Sequence, residues 1–239
     1  MSKGHNHPPA RTRGLGVRFP LAPAFSFEED GLCPNNGQRK MTSTRPPPEV
    51  PDFQKRHDMW AAVEFKRIDL PFPAIERFLR EIRPLYANGK VEHAAFTLPE
   101  HPVFEWFASR NQYHEMGFFE EFWKARGPKK VFPYALHNLN FFDQKYFSFA
   151  SPFQLGGGLA WILSAGGPYH HFERGGMEAK RLGEEAATEM LAGSYDDALV
   201  FQSGVAWSDF FLEVAWDHTF LVIDPKRRIV HALIATDTD

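Results

Sequence analysis

The chain has 239 residues, enough for one large domain, with 43% hydrophobic and 24% charged residues and a formal net charge of −3. That charge is uneven. Residues 1–51 carry seven Lys/Arg against four acids, leaving 20 basic and 26 acidic groups, a net −6, for residues 52–239. A region at −6 repels phosphate backbones, so no nucleic-acid partner is expected. The single cysteine, Cys33, excludes an intrachain disulfide. No run approaches the roughly 18–20 apolar residues of a membrane span or the apolar stretch of a secretory signal, so the expectation is a cytoplasmic protein without a membrane partner.

Nine of the 19 prolines fall in residues 1–51, which read as a disordered, proline-rich leader with Met41 as an alternative start of translation. Residues 52–239 read as one α+β domain. Residues 59–70 permit a strand, stopped by Pro71 and Pro73. Ile75, Phe78, Leu79 and Ile82 recur at helical spacing, and Pro84 ends that helix. Asn88-Gly89 marks a turn before a short strand over 91–98. Residues 102–126 form a second helical stretch, one bent helix or two, around Gly117.

Short β-like runs follow at 131–136, 146–150 and 159–164, separated by turn residues including Gly156-Gly157-Gly158. The clearest helix spans 177–192, with a stripe of small and apolar residues on one side and Gly193 as its C-cap. The strongest β signal closes the chain: 219–223 and 229–235 flank a five-residue polar turn, a hairpin. The expected architecture is a mixed, mostly antiparallel sheet carrying three to four helices and a C-terminal β-hairpin.

Two groups carry candidate chemistry. His170, His171 and Glu173 lie in a loop bracketed by glycines, the residue types of acid–base work. A polar surface loop is the simpler account of them. No H-x-x-x-H, H-x-H or C-x-x-C occurs in residues 52–239, so neither a metal site nor a cofactor is expected. The second group is Asp209, Glu213 and Asp217, beside His218. Intervals of four place the three carboxylates on one side of either a strand or a helix, where they suit a divalent cation or a basic partner, with Trp207 and Trp216 as contact aromatics. A solvated acidic face is the alternative. The tail Thr236-Asp237-Thr238-Asp239 stands close enough to the core to be anchored; beside the Asp209–Asp217 acids it brings either repulsion or a cation.

Phosphate-loop, dinucleotide and nucleophile-elbow patterns are absent. The leading expectation is therefore a non-enzymatic intracellular interaction module, adaptor-like or immunity-like, whose acidic face binds a basic protein. The alternative is a metal- or His-dependent hydrolase or nuclease that brings the His170-His171 loop against the 209–218 segment. A third idea is a small-molecule pocket of Phe141, Phe142, Tyr146, Phe147, Phe149 and Phe153, a cluster more simply read as core.

Overall fold

A computed structural model of the chain describes residues 49–133 and 142–238. Residues 1–48 of the leader, Met41 and Cys33 among them, lie outside the described residues, as do positions 134–136 of one expected strand, Phe141 and Asp239; the leader's last three residues are described, and Pro51 is buried. Element order is α1 (Phe53–Ala62), α2 (Pro73–Ile82), β1 (Lys90–Thr97), α3 (Pro102–Ala108), α4 (Phe118–Lys124), α5 (Arg126–Val131), β2 (Ser148–Ala150), α6 (Leu155–Ala165), α7 (Gly176–Leu191), β3 (Leu199–Ser203), β4 (His218–Asp224) and β5 (Ile229–Thr236).

The five strands form one sheet in the order β1-β5-β4-β3-β2, every pairing antiparallel. Alternation along each strand sends its two sets of side chains into two separate cores. Leu221, Ile223, Val230, Ala232 and Ile234 enter an aromatic core with Phe104, Phe118, Phe122, Trp123 and Trp207. Phe220, Val222, Leu233 and Ala235 enter the other, with residues of α2, α6 and α7. A sheet buried on both faces explains why β4 and β5 read as near-continuous apolar runs.

The hairpin is found where the sequence places it, with Leu221 opposite Ala232 and Ile223 opposite Val230. Its turn is clamped by the buried Asp224 carboxylate. That group accepts the Arg227 backbone N–H at 2.8 Å and Nε at 2.6 Å, while Arg227 Nη2 donates to the Met190 carbonyl. Burial opposes ionisation of Asp224, but these hydrogen bonds outweigh it and hold its pKa below the ordinary value.

Several expectations are corrected. Residues 53–62 are helical, not extended, because Asp52 caps that helix by accepting the Lys55 N–H at 2.9 Å. Only residues 66–68 are extended, bridging the outer edge of β1 through Ile68 N–H to Ala95 O and Thr97 N–H to Lys66 O. Residues 159–164 lie within α6. This uncharged run packs on α7 and on the sheet with Trp161 and Ser164 exposed, and a short, mostly apolar run carries no period that separates helix from strand. Residues up to Val131 close α5 rather than open a strand. Seven α-helices stand among the described residues instead of three to four; three of them, α3 to α5, have only six or seven residues.

The glycines of α6 and α7 serve packing. A Cβ on Gly183 would sit 2.5 Å from Ala160 N and 2.6 Å from Gly156 O, so the two helix backbones touch directly. No helix among the described residues is long and apolar enough to cross a membrane.

Candidate functional site

The segment between β3 and β4 is neither strand nor helix. Glu213 adopts a left-handed φ of 57° and turns the chain back on itself, which ends the period that would align the three acids. Asp209 and Glu213 are exposed, whereas Asp217 is buried at 1% exposure. The shared acidic side expected for all three is therefore corrected to two outward acids and one inward acid.

Asp217 lies inside the loop it was expected to decorate. Its Oδ2 accepts the backbone N–H groups of Leu212 and Val214, each at 3.1 Å, and its Oδ1 accepts the Thr236 hydroxyl of β5 at 2.5 Å. Successive N–H groups converging on one anion form a nest, and here the anion belongs to the chain itself. Burial raises the Asp217 pKa from its ordinary value, with the hydrogen bonds opposing.

The C-terminal tail is tied down beside it. Asp237, also buried, accepts the Asn88 backbone N–H at 2.8 Å, and the Thr238 carbonyl accepts Asn88 Nδ2 at 3.0 Å. Asp217 and Asp237 thus each receive their own donors. No group of three or more His, Cys, Asp or Glu positioned to hold a metal ion occurs among the described residues.

Trp207 is also corrected. It is fully buried, stacks on Trp123 at 4.6 Å between ring centroids and donates from Nε1 to the Thr219 hydroxyl at 2.8 Å. It is core, anchoring the start of the loop. Trp216 is half-buried against the second core. What the loop presents outward is Val205, Asp209, Leu212 (52% exposed) and Glu213.

His170, His171 and Glu173 are exposed and line a shallow cleft of ≈ 690 Å³ with Arg80, Glu81 and Arg174. Arg174 braces the loop to α2 and α7 through Glu81 and Glu178. The loop meets the rest of the fold at Gly167, whose position is bounded by the Leu85 carbonyl and the Asp237 carboxylate. His171 Nδ1 lies 3.4 Å from Ala165 O, and no hydrogen bond or ion pair joins either histidine ring to Asp217 or His218 among the described residues. His218 is half-buried against Trp161, and burial lowers its pKa to about 4. The phenylalanine cluster divides: Phe147 stacks on Phe119 and Phe142, and these with Tyr146 belong to the aromatic core, while Phe149 and Phe153 face solvent.

A pair that the sequence reading passed over is His93 on β1 and His231 on β5. They are diagonal neighbours, since Ala95 stands opposite His231 and His93 opposite Leu233. His93 Nε2 lies 3.1 Å from His231 Nδ1, with the rings tilted by only 21° and their centroids 5.3 Å apart. The centroid distance exceeds the nitrogen distance by about two ring radii, so the rings meet edge to edge and each nitrogen faces the other. That is hydrogen-bond geometry. Phe72 packs edge-on against both rings. Burial lowers the pKa of His231 to about 3 and also lowers that of His93, so both are neutral at pH 7. The available signal was one lone histidine inside each of two apolar strand runs, an ordinary pattern until the register is known.

No protein-family model, curated protein or solved structure matches the chain.

Proposed function

We propose that the chain is a protein-interaction module, and that the outward face of residues 205–216 is its contact surface for a basic partner. The observation that carries this reading is the Asp217 nest. A loop without regular structure is held from within by a buried carboxylate, so Asp209, Leu212 and Glu213 are presented on a fixed support. Fixing the loop before binding lowers the ordering cost of association. Two carboxylates flanking an exposed leucine offer an apolar anchor with electrostatic selection for Lys and Arg.

The test is affinity capture from the native cells with the full chain and with Asp209→Lys/Glu213→Lys. The expected result is a basic protein that elutes with salt from the unaltered chain and is lost from the variant, while the variant keeps its thermal stability. Equal capture of the same proteins by both would remove the support.

A further inference from the structure

We propose that the cleft between β1, residues 67–73 and the start of α2 binds a short-chain monocarboxylate, its carboxylate held by His93, Arg67 and Arg83. This site is independent of the 205–216 surface. Two adjoining hollows of ≈ 490 and ≈ 360 Å³ share Arg67, Glu76 and His93. The first is bounded by Arg83 and Glu92, the second by Leu70, Pro71 and Phe72, so a polar end and an apolar end meet at His93.

The His93–His231 hydrogen bond determines what the cleft is offered. Two neutral imidazoles sharing a hydrogen bond need one N–H and one lone pair, which leaves two arrangements. If His93 Nε2–H donates, His231 must carry its hydrogen on Nε2. That atom is buried, with no partner among the described residues, in a residue only 1% exposed. If His231 Nδ1–H donates, the unpartnered atom is a bare lone pair and His93 carries its hydrogen on Nδ1. A buried N–H without an acceptor is the rarer defect, so the second arrangement is preferred. His93 then presents Nδ1–H to the cleft.

Other donors agree with it. Arg83 is aimed by its Nε bond to the Val91 carbonyl at 3.0 Å and lies 3.8 Å from Glu76, a long contact. Arg67 pairs with Asp69 through Nε at 3.0 Å, leaving its terminal nitrogens for a ligand. Because Ala95 O and Thr97 N–H face outward to residues 66–68, two-residue alternation turns the His93 backbone N–H the same way. Arg67, Arg83 and Lys90 are balanced by Asp69, Glu76 and Glu92 around the two hollows. With no net positive charge around it, the cleft offers a few directed donors to one carboxylate but no field that would hold a polyanion, and residues 70–73 give a short alkyl tail its contact.

The test uses the full chain, ¹⁵N-labelled, and long-range ¹H–¹⁵N spectra of the histidine side chains at pH 7. The free protein should show the His93 hydrogen on Nδ1. Sodium butyrate, titrated at constant ionic strength with chloride, should move that signal saturably with millimolar affinity, as befits so small a ligand. Arg83→Gln and Arg67→Gln should each weaken binding about fivefold or more. Arg67 is largely solvent-facing, so its variant serves if Arg83→Gln fails to fold. Four outcomes overturn the proposal: the His93 hydrogen on Nε2, no saturable shift, phosphate binding more tightly than butyrate, or butyrate affinity unchanged in the arginine variants.

Discussion

Lowering the pH from 7 to 5 should destabilise this protein through its buried histidines, before any carboxylate with a lowered pKa titrates. His231 has a folded pKa of about 3 and His218 of about 4, both below the unfolded value of 6.5. For a group lowered in this way the unfolded chain takes up the proton first. Stability is complete above pH 6.5 and falls as the pH drops toward the folded pKa. Each such histidine loses about 1.4 kcal/mol per pH unit below 6.5, hence about 2 kcal/mol at pH 5, and the two together about 4 kcal/mol. His93, coupled to His231, adds to the loss in the same direction. Asp224 has a lowered pKa and contributes its own loss only nearer pH 4, while the raised pKa of Asp217 acts in the opposite sense. Urea unfolding followed by tryptophan fluorescence at pH 7, 6 and 5 reads the effect. His218→Gln should remove about 2 kcal/mol of the loss at pH 5, and His231→Gln at least as much, since it also removes the partner of His93. A stability that is flat from pH 7 to 5, or a slope that neither variant changes, refutes the assignment of neutral buried rings.

Asp217→Ala strands the N–H groups of Leu212 and Val214 and the Thr236 hydroxyl, and should cost about 3 kcal/mol. Amide exchange at Leu212 and Val214 should accelerate with it; a loss under about 1 kcal/mol with exchange unchanged contradicts the nest. Gly183→Ala should destabilise by about 2 kcal/mol in thermal unfolding, because the clash with Ala160 N and Gly156 O exceeds the roughly 1 kcal/mol gained in helix propensity. Gly157→Ala, with nothing within 4 Å of its new Cβ, should keep that gain, so equal effects at the two glycines argue against direct contact of α6 and α7.

The parts of the fold legible in the sequence are those where one physical signal dominates. Ile75, Phe78, Leu79 and Ile82 write a helical period against a single core, and the C-terminal hairpin combines two apolar runs with a polar turn. Residues 159–164 were illegible for the opposite reason, since α6 is apolar on several sides and its glycines imitate a turn. β3 at Leu199–Ser203 is flanked by Asp196-Asp197 and Gly204, but five residues carry too little pattern to mark a strand. At the candidate site, spacing drew attention to a segment of acids, but the direction of each acid depended on partners distant in sequence. Thr236, nineteen residues away, turns Asp217 inward. His93 and His231, 138 residues apart, have meaning only once β1 pairs with β5.

The same placement decides how the proposed contact surface can be dissected. Asp217 joins the 209–216 loop to β5, so altering it disturbs the hairpin and the presented face together, and a loss of binding in Asp217→Ala would not separate surface chemistry from folding. Asp209 and Glu213 are exposed, and it is the Glu213 backbone, not its side chain, that bonds to buried Asp217. Glu213→Lys retains the left-handed backbone strain already present at a non-glycine residue, so its stability should change by only a few tenths of a kcal/mol. A surface that reads charge at these two positions must therefore respond to their reversal at constant stability. A scaffold merely solvated by them responds in neither.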